Sequence, residues 1–154
     1  MVAAQIFGTL LLLLAAGTPH LTMATSASPT AAAPARPGST IKLYVDVIPD
    51  PRVHVYAPGA KDYLPIALEI TTAAGVTAGK LSYPKAQDLY FEALKEHVPV
   101  FSAPFRLVQD VAIGRAVKPG QSLIVTGILK YQACDDTICF NPVSAPVSWT
   151  LTVK

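Results

Sequence analysis

Apolar and polar residues alternate with a period of two along much of this chain. Only an extended strand turns such a pattern into one buried face and one solvated face. In "PVSWTLTVK" Val147, Trp149, Leu151 and Val153 share one side, and Ser148, Thr150 and Thr152 the other. "TIKLYVDV" sets Leu43, Val45 and Val47 against Lys42, Tyr44 and Asp46. "YLPIALEITT", "FRLVQDVAI" and "SLIVTGILKYQA" are three more β-rich runs. Pro65 assigns its strand to a sheet edge, because proline cannot donate to a ladder. Turn residues punctuate the runs in "PDPR", "APGAKD", "TAAGVTAGK" and "VKPGQS". "KAQDLYFEALKEH" is the one helix-like stretch, although Tyr90 and Phe91 also suit a strand. Roughly six to eight short strands at this spacing predict an all-β, immunoglobulin-like β-sandwich, with a small barrel as the competitor.

The ends read differently. Residues 1–24 have the form of an export signal: an apolar run, "QIFGTLLLLLAAG", then "LTMA", with Thr22 and Ala24 at the small positions before a cut. No Lys or Arg precedes the run, and no cysteine stands at the cut to carry a lipid anchor. Residues 25–38, "TSASPTAAAPARPG", have too little apolar surface to offset their ordering entropy and read as an Ala/Pro-rich linker. That leaves residues 39–154 as the folded domain, expected to be soluble and periplasmic or otherwise exported, with no membrane span in the mature chain.

Composition narrows the function. A net charge of +2 with scattered Lys and Arg lacks the basic stripe that nucleic-acid binding needs. No Ser-His-Asp set, carboxylate pair or phosphate-cradling glycine loop is present. A metal site would need Cys134, Cys139 and a histidine to converge, and no methionine would remain after signal removal, so neither metal nor cofactor is expected. His54 is expected to pack on a strand face. Tyr131 and Trp149 read as core residues.

Chemistry therefore falls to Cys134 and Cys139, the only two cysteines, in "KYQACDDTICFNP". A bridge closing so short a loop stabilises by only ~2 kcal/mol, against ~4.7 for a loop of about 100 residues. It would be a weak staple. The run in, the "DDTI" turn and the run out make a hairpin whose facing Cα atoms should lie ~4.5–5.5 Å apart, near the low end of disulfide geometry, where bridges can be strained. By alternation Cys134 shares a face with Thr126, Lys130 and Gln132, and so should point away from the core, exposed to exchange. Asp135 and Asp136 would oppose thiol ionisation nearby. These residues leave two readings open. One is a redox pair, and the other is an inert clip in a non-catalytic β-sandwich that binds a partner.

"LKYQACDDTICFNPVSAPV" resembles the active-site hairpin of the N-terminal periplasmic domain of DsbD, the transmembrane thiol:disulfide interchange protein. The resemblance rests on Tyr131, Gln132, Cys134, Cys139, Phe140 and Pro142, with four residues between the cysteines where well-known members have five. "VHVYAPGAKDYLPIALEI" is similar to the early strands of such domains. The resemblance implies an immunoglobulin-like fold and a protein-disulfide reductase component that works without a cofactor. Electrons would come from a thioredoxin-like protein or a membrane carrier, separate from this chain, and pass to oxidised periplasmic proteins such as disulfide isomerases or cytochrome-maturation factors. It implies that Cys139 forms the mixed disulfide and Cys134 resolves it. It also implies a cap loop over the cysteines, placed at "KEHVPVFSAPF", with Phe101 as the shielding ring beside Val100 and His97. Glu96 and His97 are further candidates for moving protons, against a plain role as solvated loop residues.

Overall fold

The strands expected from alternation form, and they sort into three sheets. The structure, a computed structural model, describes residues 17–28, 34–71, 74–92 and 94–154. Among these lie β1 (Gly17–Thr18), β2 (Leu21–Ala27), β3 (Thr40–Pro49), β4 (His54–Tyr56), β5 (Ala67–Thr71) and β6 (Val76–Ser82). After them come β7 (Gln87–Phe91), β8 (Glu96–Phe101), β9 (Phe105–Ile113), β10 (Ser122–Tyr131), β11 (Ala133–Cys134) and β12 (Val143–Thr152). The sheet orders are β1-β2-β3-β9-β6, β12-β10-β5 and β11-β4-β8-β7.

The first two sheets form the immunoglobulin-like sandwich. Leu43, Val45 and Val47 of β3 and Leu107 and Val111 of β9 bury against Val125 and Leu129 of β10 and Val147, Trp149 and Leu151 of β12. Trp149 donates its indole N–H to the Tyr44 carbonyl at 3.1 Å, so a large ring is buried without stranding its polar atom. β10 and β12 pair without a slip from Ser122 opposite Thr152 to Tyr131 opposite Val143. β5 is the outer strand of its sheet, as Pro65 predicts, although the strand starts at Ala67. On its flank, a Cβ added at Gly127 would lie 2.7 Å from the Glu69 carbonyl oxygen, so this pairing needs glycine.

Two expectations are corrected here. "KAQDLYFEALKEH" is not helical: it supplies β7 and the start of β8, paired from Gln87 opposite Val100 to Phe91 opposite Glu96. Leu89 and Phe91 have the strand parity that buries one side, and this outweighs the helical spacing.

The second correction concerns the domain's start. Leu21–Ala27 pairs with β3 and buries Leu21 and Met23, so residues assigned to the leader's end and the linker belong to the sheet. Ala35, also expected in the linker, is fully buried beside Val153. Leu21 and Met23 alternate with Thr22 and Ala24, a two-residue period that the small-residue cleavage pattern masks. Residues 1–16, most of the expected leader, and residues 29–33 of the linker lie outside the described residues.

The third sheet positions the site. Val55, Phe101 and Ala133 turn one of its faces onto the sandwich core. Tyr56, Val98, Val100 and Cys134 form a separate buried cluster on the other face.

Candidate functional site

Cys134 and Cys139 are joined as a disulfide with a Cα–Cα distance of 4.0 Å. They face each other as an isolated antiparallel bridge at the hairpin mouth. Asp135 builds the turn between them. Its Oδ1 accepts from the backbone N–H of Thr137 at 2.7 Å and of Ile138 at 2.8 Å. Those two amides hold its carboxyl below the usual carboxylate range. Below the turn, the Phe140 N–H donates to the Ala133 carbonyl at 2.8 Å, and Gln132 donates its side-chain amide to the Phe140 carbonyl at 3.0 Å.

The two cysteines differ in exposure. As residues, Cys139 is exposed, whereas Cys134 is only 1% exposed. This corrects the expectation that Cys134 is reachable. Its parity was read correctly, since it does point away from the sandwich core. However, the chain leaves β10 at Gln132 and pairs β11 with β4, and Tyr56, Val98 and Val100 of the same sheet, with Tyr63, Leu89 and Phe91 packed against them, bury Cys134 on that face.

A layered set of aromatic rings surrounds the pair. The Tyr56 hydroxyl lies 3.6 Å from Cys139 Sγ. Tyr63 stacks on Tyr56 with centroids 4.2 Å apart, and Phe91 lies beyond it at 6.4 Å. Tyr63 donates a short hydrogen bond to Glu96, which pushes its phenol up to about 12, while burial raises Tyr56. His54 stands edge-on to Tyr56 at 5.5 Å and tilted against Phe91 at 6.1 Å. Among the described residues no group of acidic, His and Cys side chains could hold a metal ion.

A family model for the N-terminal domain of thiol:disulfide interchange protein DsbD matches residues 22–148. The chain belongs to the DsbD N-terminal domain family. Its fold is similar to the N-terminal periplasmic domain of ScsB from Proteus mirabilis, at 11% identity and a TM-score of 0.55, over 87% of this chain and 47% of that one. The Neisseria meningitidis DsbD N-terminal domain in its reduced form aligns at 17% identity over 77% of this chain and 80% of that one, with a TM-score of 0.49. A structure of that domain's complex with the PilB N-terminal domain aligns at 16% identity over 70% and 73%, also with a TM-score of 0.49. No curated protein matches the sequence.

In this DsbD-family domain the hairpin residues come together, but the expected cap residues separate. Phe101 lies in the sandwich core, stacked on Phe105 at 4.3 Å, because Val98 and Val100 take the parity that faces Cys134. Val100 therefore belongs to the cysteine cluster and Phe101 does not. His97 is exposed and paired with Asp88 at 2.6 Å. Asp136 is exposed at the turn. Phe140 stacks on His20 at 3.7 Å, and Tyr131 is buried and donates its hydroxyl to the Pro19 carbonyl at 2.8 Å. Pro142 lines an apolar groove of about 220 Å³ with Leu64, Pro65 and Val143.

Sequence reasoning missed Tyr56, Tyr63 and Phe91. The signal for Tyr56 was available: His54 and Tyr56 stand two apart in "HVY" and so share a face. Nothing local connects that face to Tyr63 or to the hairpin of β7 and β8, which reach it through tertiary packing.

Proposed function

We propose that this domain passes electrons between proteins through the reversible Cys134–Cys139 disulfide, with Cys139 meeting the partner and Cys134 resolving the mixed disulfide. The observation carrying this assignment is the asymmetry of the pair, with Cys139 an exposed residue and Cys134 a buried one. An incoming thiolate reaches a sulfur in line with the bond it breaks, and access decides which sulfur is attacked. In the donating direction, Cys139 thiolate attacks a partner disulfide, forming one S–S bond and releasing a partner thiolate. Cys134 then attacks Cys139 Sγ, restores the internal bridge and releases the second partner sulfur. Two electrons leave the domain, and the sulfurs carry them with no other cofactor.

Family membership supports a reading of the partner classes. The donor is a thioredoxin-like protein or a membrane electron carrier, and the acceptors are oxidised periplasmic thiol proteins. The working location is the periplasm, after removal of an export signal that ends upstream of β2. The hairpin of β7 and β8, with Leu89 and Phe91 against the cysteine cluster, takes the shielding role expected of Phe101.

Trapping tests the assignment. Cys134→Ser should accumulate a mixed disulfide through Cys139, seen as a shifted band on non-reducing gels, while Cys139→Ser should trap little. Equal trapping by both variants would reverse or erase the roles. A reduction potential well below about −300 mV, with no exchange against a thioredoxin-like protein, would leave the bridge as a structural clip.

A further inference from the structure

The hairpin mechanism leaves one buried polar atom without a task. His54 is 5% exposed, and its Nε2 is buried with no hydrogen-bond partner. Unpaired buried nitrogen is costly, and native structures that keep one commonly use it. His54 is the register partner of Cys134 between β4 and β11. Directly opposed residues of an antiparallel pair point to the same face with Cβ atoms ~4.5–5.5 Å apart.

We infer that His54 is the proton acceptor for Cys134: its Nε2 takes the thiol proton as the buried sulfur closes on Cys139, and returns it when the bridge opens. This rests on the exchange reading, with Cys134 as the resolving sulfur.

The redox state itself decides whether Nε2 has a partner. A disulfide sulfur carries no hydrogen, so the oxidised pair offers the ring nothing to accept. Reduction creates an S–H group on Cys134 opposite the imidazole. The orphaned nitrogen of the oxidised state becomes a hydrogen-bonded nitrogen in the reduced state. His54 therefore favours reduction of this pair as well as assisting its closure.

The neighbouring groups are otherwise committed. On β4 the Tyr56 hydroxyl is turned to Cys139 Sγ, and Arg52, just before the strand, carries no lone pair to accept with. In the turn Asp135 is held by two amides, and Asp136 stands at the surface. On β7 Asp88 is paired with His97, and on β8 Glu96 accepts from Tyr63. Burial pulls the His54 pKa down, against weaker upward pulls from Asp136 and Asp135, so the ring is neutral and able to accept near pH 7. An exit exists: His54 lines an open pocket of about 200 Å³ with Arg52, Asp88, Ser102 and Asp136.

The closing step balances. In the mixed disulfide, Cys134 Sγ gives its proton to His54 Nε2 and attacks Cys139 Sγ. The Cys134–Cys139 bond forms, the bond from Cys139 to the partner breaks, and the partner sulfur leaves as a thiolate. The imidazolium then loses its proton to water in the pocket that Asp88 and Asp136 also line.

The test uses the full chain, reduced and mixed with the aryl disulfide dithiobis-nitrobenzoate, whose coloured thiolate is released twice. The first release reports attack by Cys139, and the second reports closure by Cys134. In wild type the second rate should stay nearly flat above the lowered His54 pKa. In His54→Phe it should fall about 10-fold or more near pH 7 and then rise about tenfold per pH unit, as a thiol without a local base requires. The first release should change less than about twofold, since Cys139 is open to solvent. His54→Gln keeps a hydrogen-bonding group but not a base. It should hold the equilibrium constant for reduction within about threefold of wild type while showing the steep pH slope. His54→Phe should lower that constant about tenfold, which is about 30 mV.

Wild-type rate and pH profile in His54→Phe would overturn the inference, and so would a flat profile in His54→Gln. Absence of a second release in wild type would instead remove the exchange reading on which the inference depends.

Discussion

The sandwich core and the small cluster around Cys134 are both buried, but they are built from different materials. The core is mostly aliphatic, with Phe101, Tyr131 and Trp149 among its rings, and its polar atoms are placed: Trp149 donates to Tyr44, and buried Gln109 donates to the Gly79 and Asp110 carbonyls. The cluster on one face of the third sheet sets Tyr56, His54 and a sulfur among Val98 and Val100, and leaves His54 Nε2 unpaired. One region gains stability from packing. The other holds groups whose bonding changes with electron count.

The difference is open to attack from either side, beginning with the core. Trp149→Ala should cost about 3–5 kcal/mol, seen as a lower denaturation midpoint, yet leave the reduction potential of the remaining folded protein near wild type. A large potential shift would mean that the two regions are coupled. Next in size is the first long strand. Removing residues 1–24 takes away buried Leu21 and Met23 and should cost about 3 kcal/mol or more relative to removing residues 1–16. Equal melting of the two truncations would put β2 outside the working fold.

Opening the bridge comes third. Reduction should cost only ~2 kcal/mol, with the far-ultraviolet circular dichroism unchanged, because a short loop gains little from closure. Unfolding on reduction would make the cysteines a staple after all. The smallest effect concerns acid. The folded-state pKa of His54 lies below 6.5, so the unfolded chain binds the extra proton first. Stability from keeping His54 neutral is present above 6.5 and is lost as pH falls below it, by at most ~1.4 kcal/mol per pH unit. His54→Gln should remove that slope from urea midpoints measured between about pH 6.5 and 5.

Much of the sandwich was legible because strand parity is a local property. The runs in β3, β9, β10 and β12 each carry their own record of which side is buried. Parity also placed Cys134 off the main core. It could not report that Cys134 is packed in on that side as well, since Leu89, Phe91, Val98 and Val100 belong to another hairpin. Phe101 went astray for the same reason: an aromatic in the right segment was credited without counting its phase against Val100. The N-terminal boundary failed because Ala, Ser and Thr serve equally as cleavage-site residues and as the outward side of a strand. His54 was correctly placed on a strand face, but its missing partner exists only in three dimensions.

The Tyr131–Pro19 hydrogen bond joins residues 112 apart, and the His20–Phe140 stack spans a similar stretch of chain. Contacts of such separation form late, because the loop between them must close first. The hairpin carrying the cysteines follows the turn it rests on by more than a hundred residues of chain. Until the two meet, the base of the hairpin below the cysteines is not anchored. The position of the cysteine hairpin is therefore fixed by contacts from a distant part of the chain as well as by its own turn.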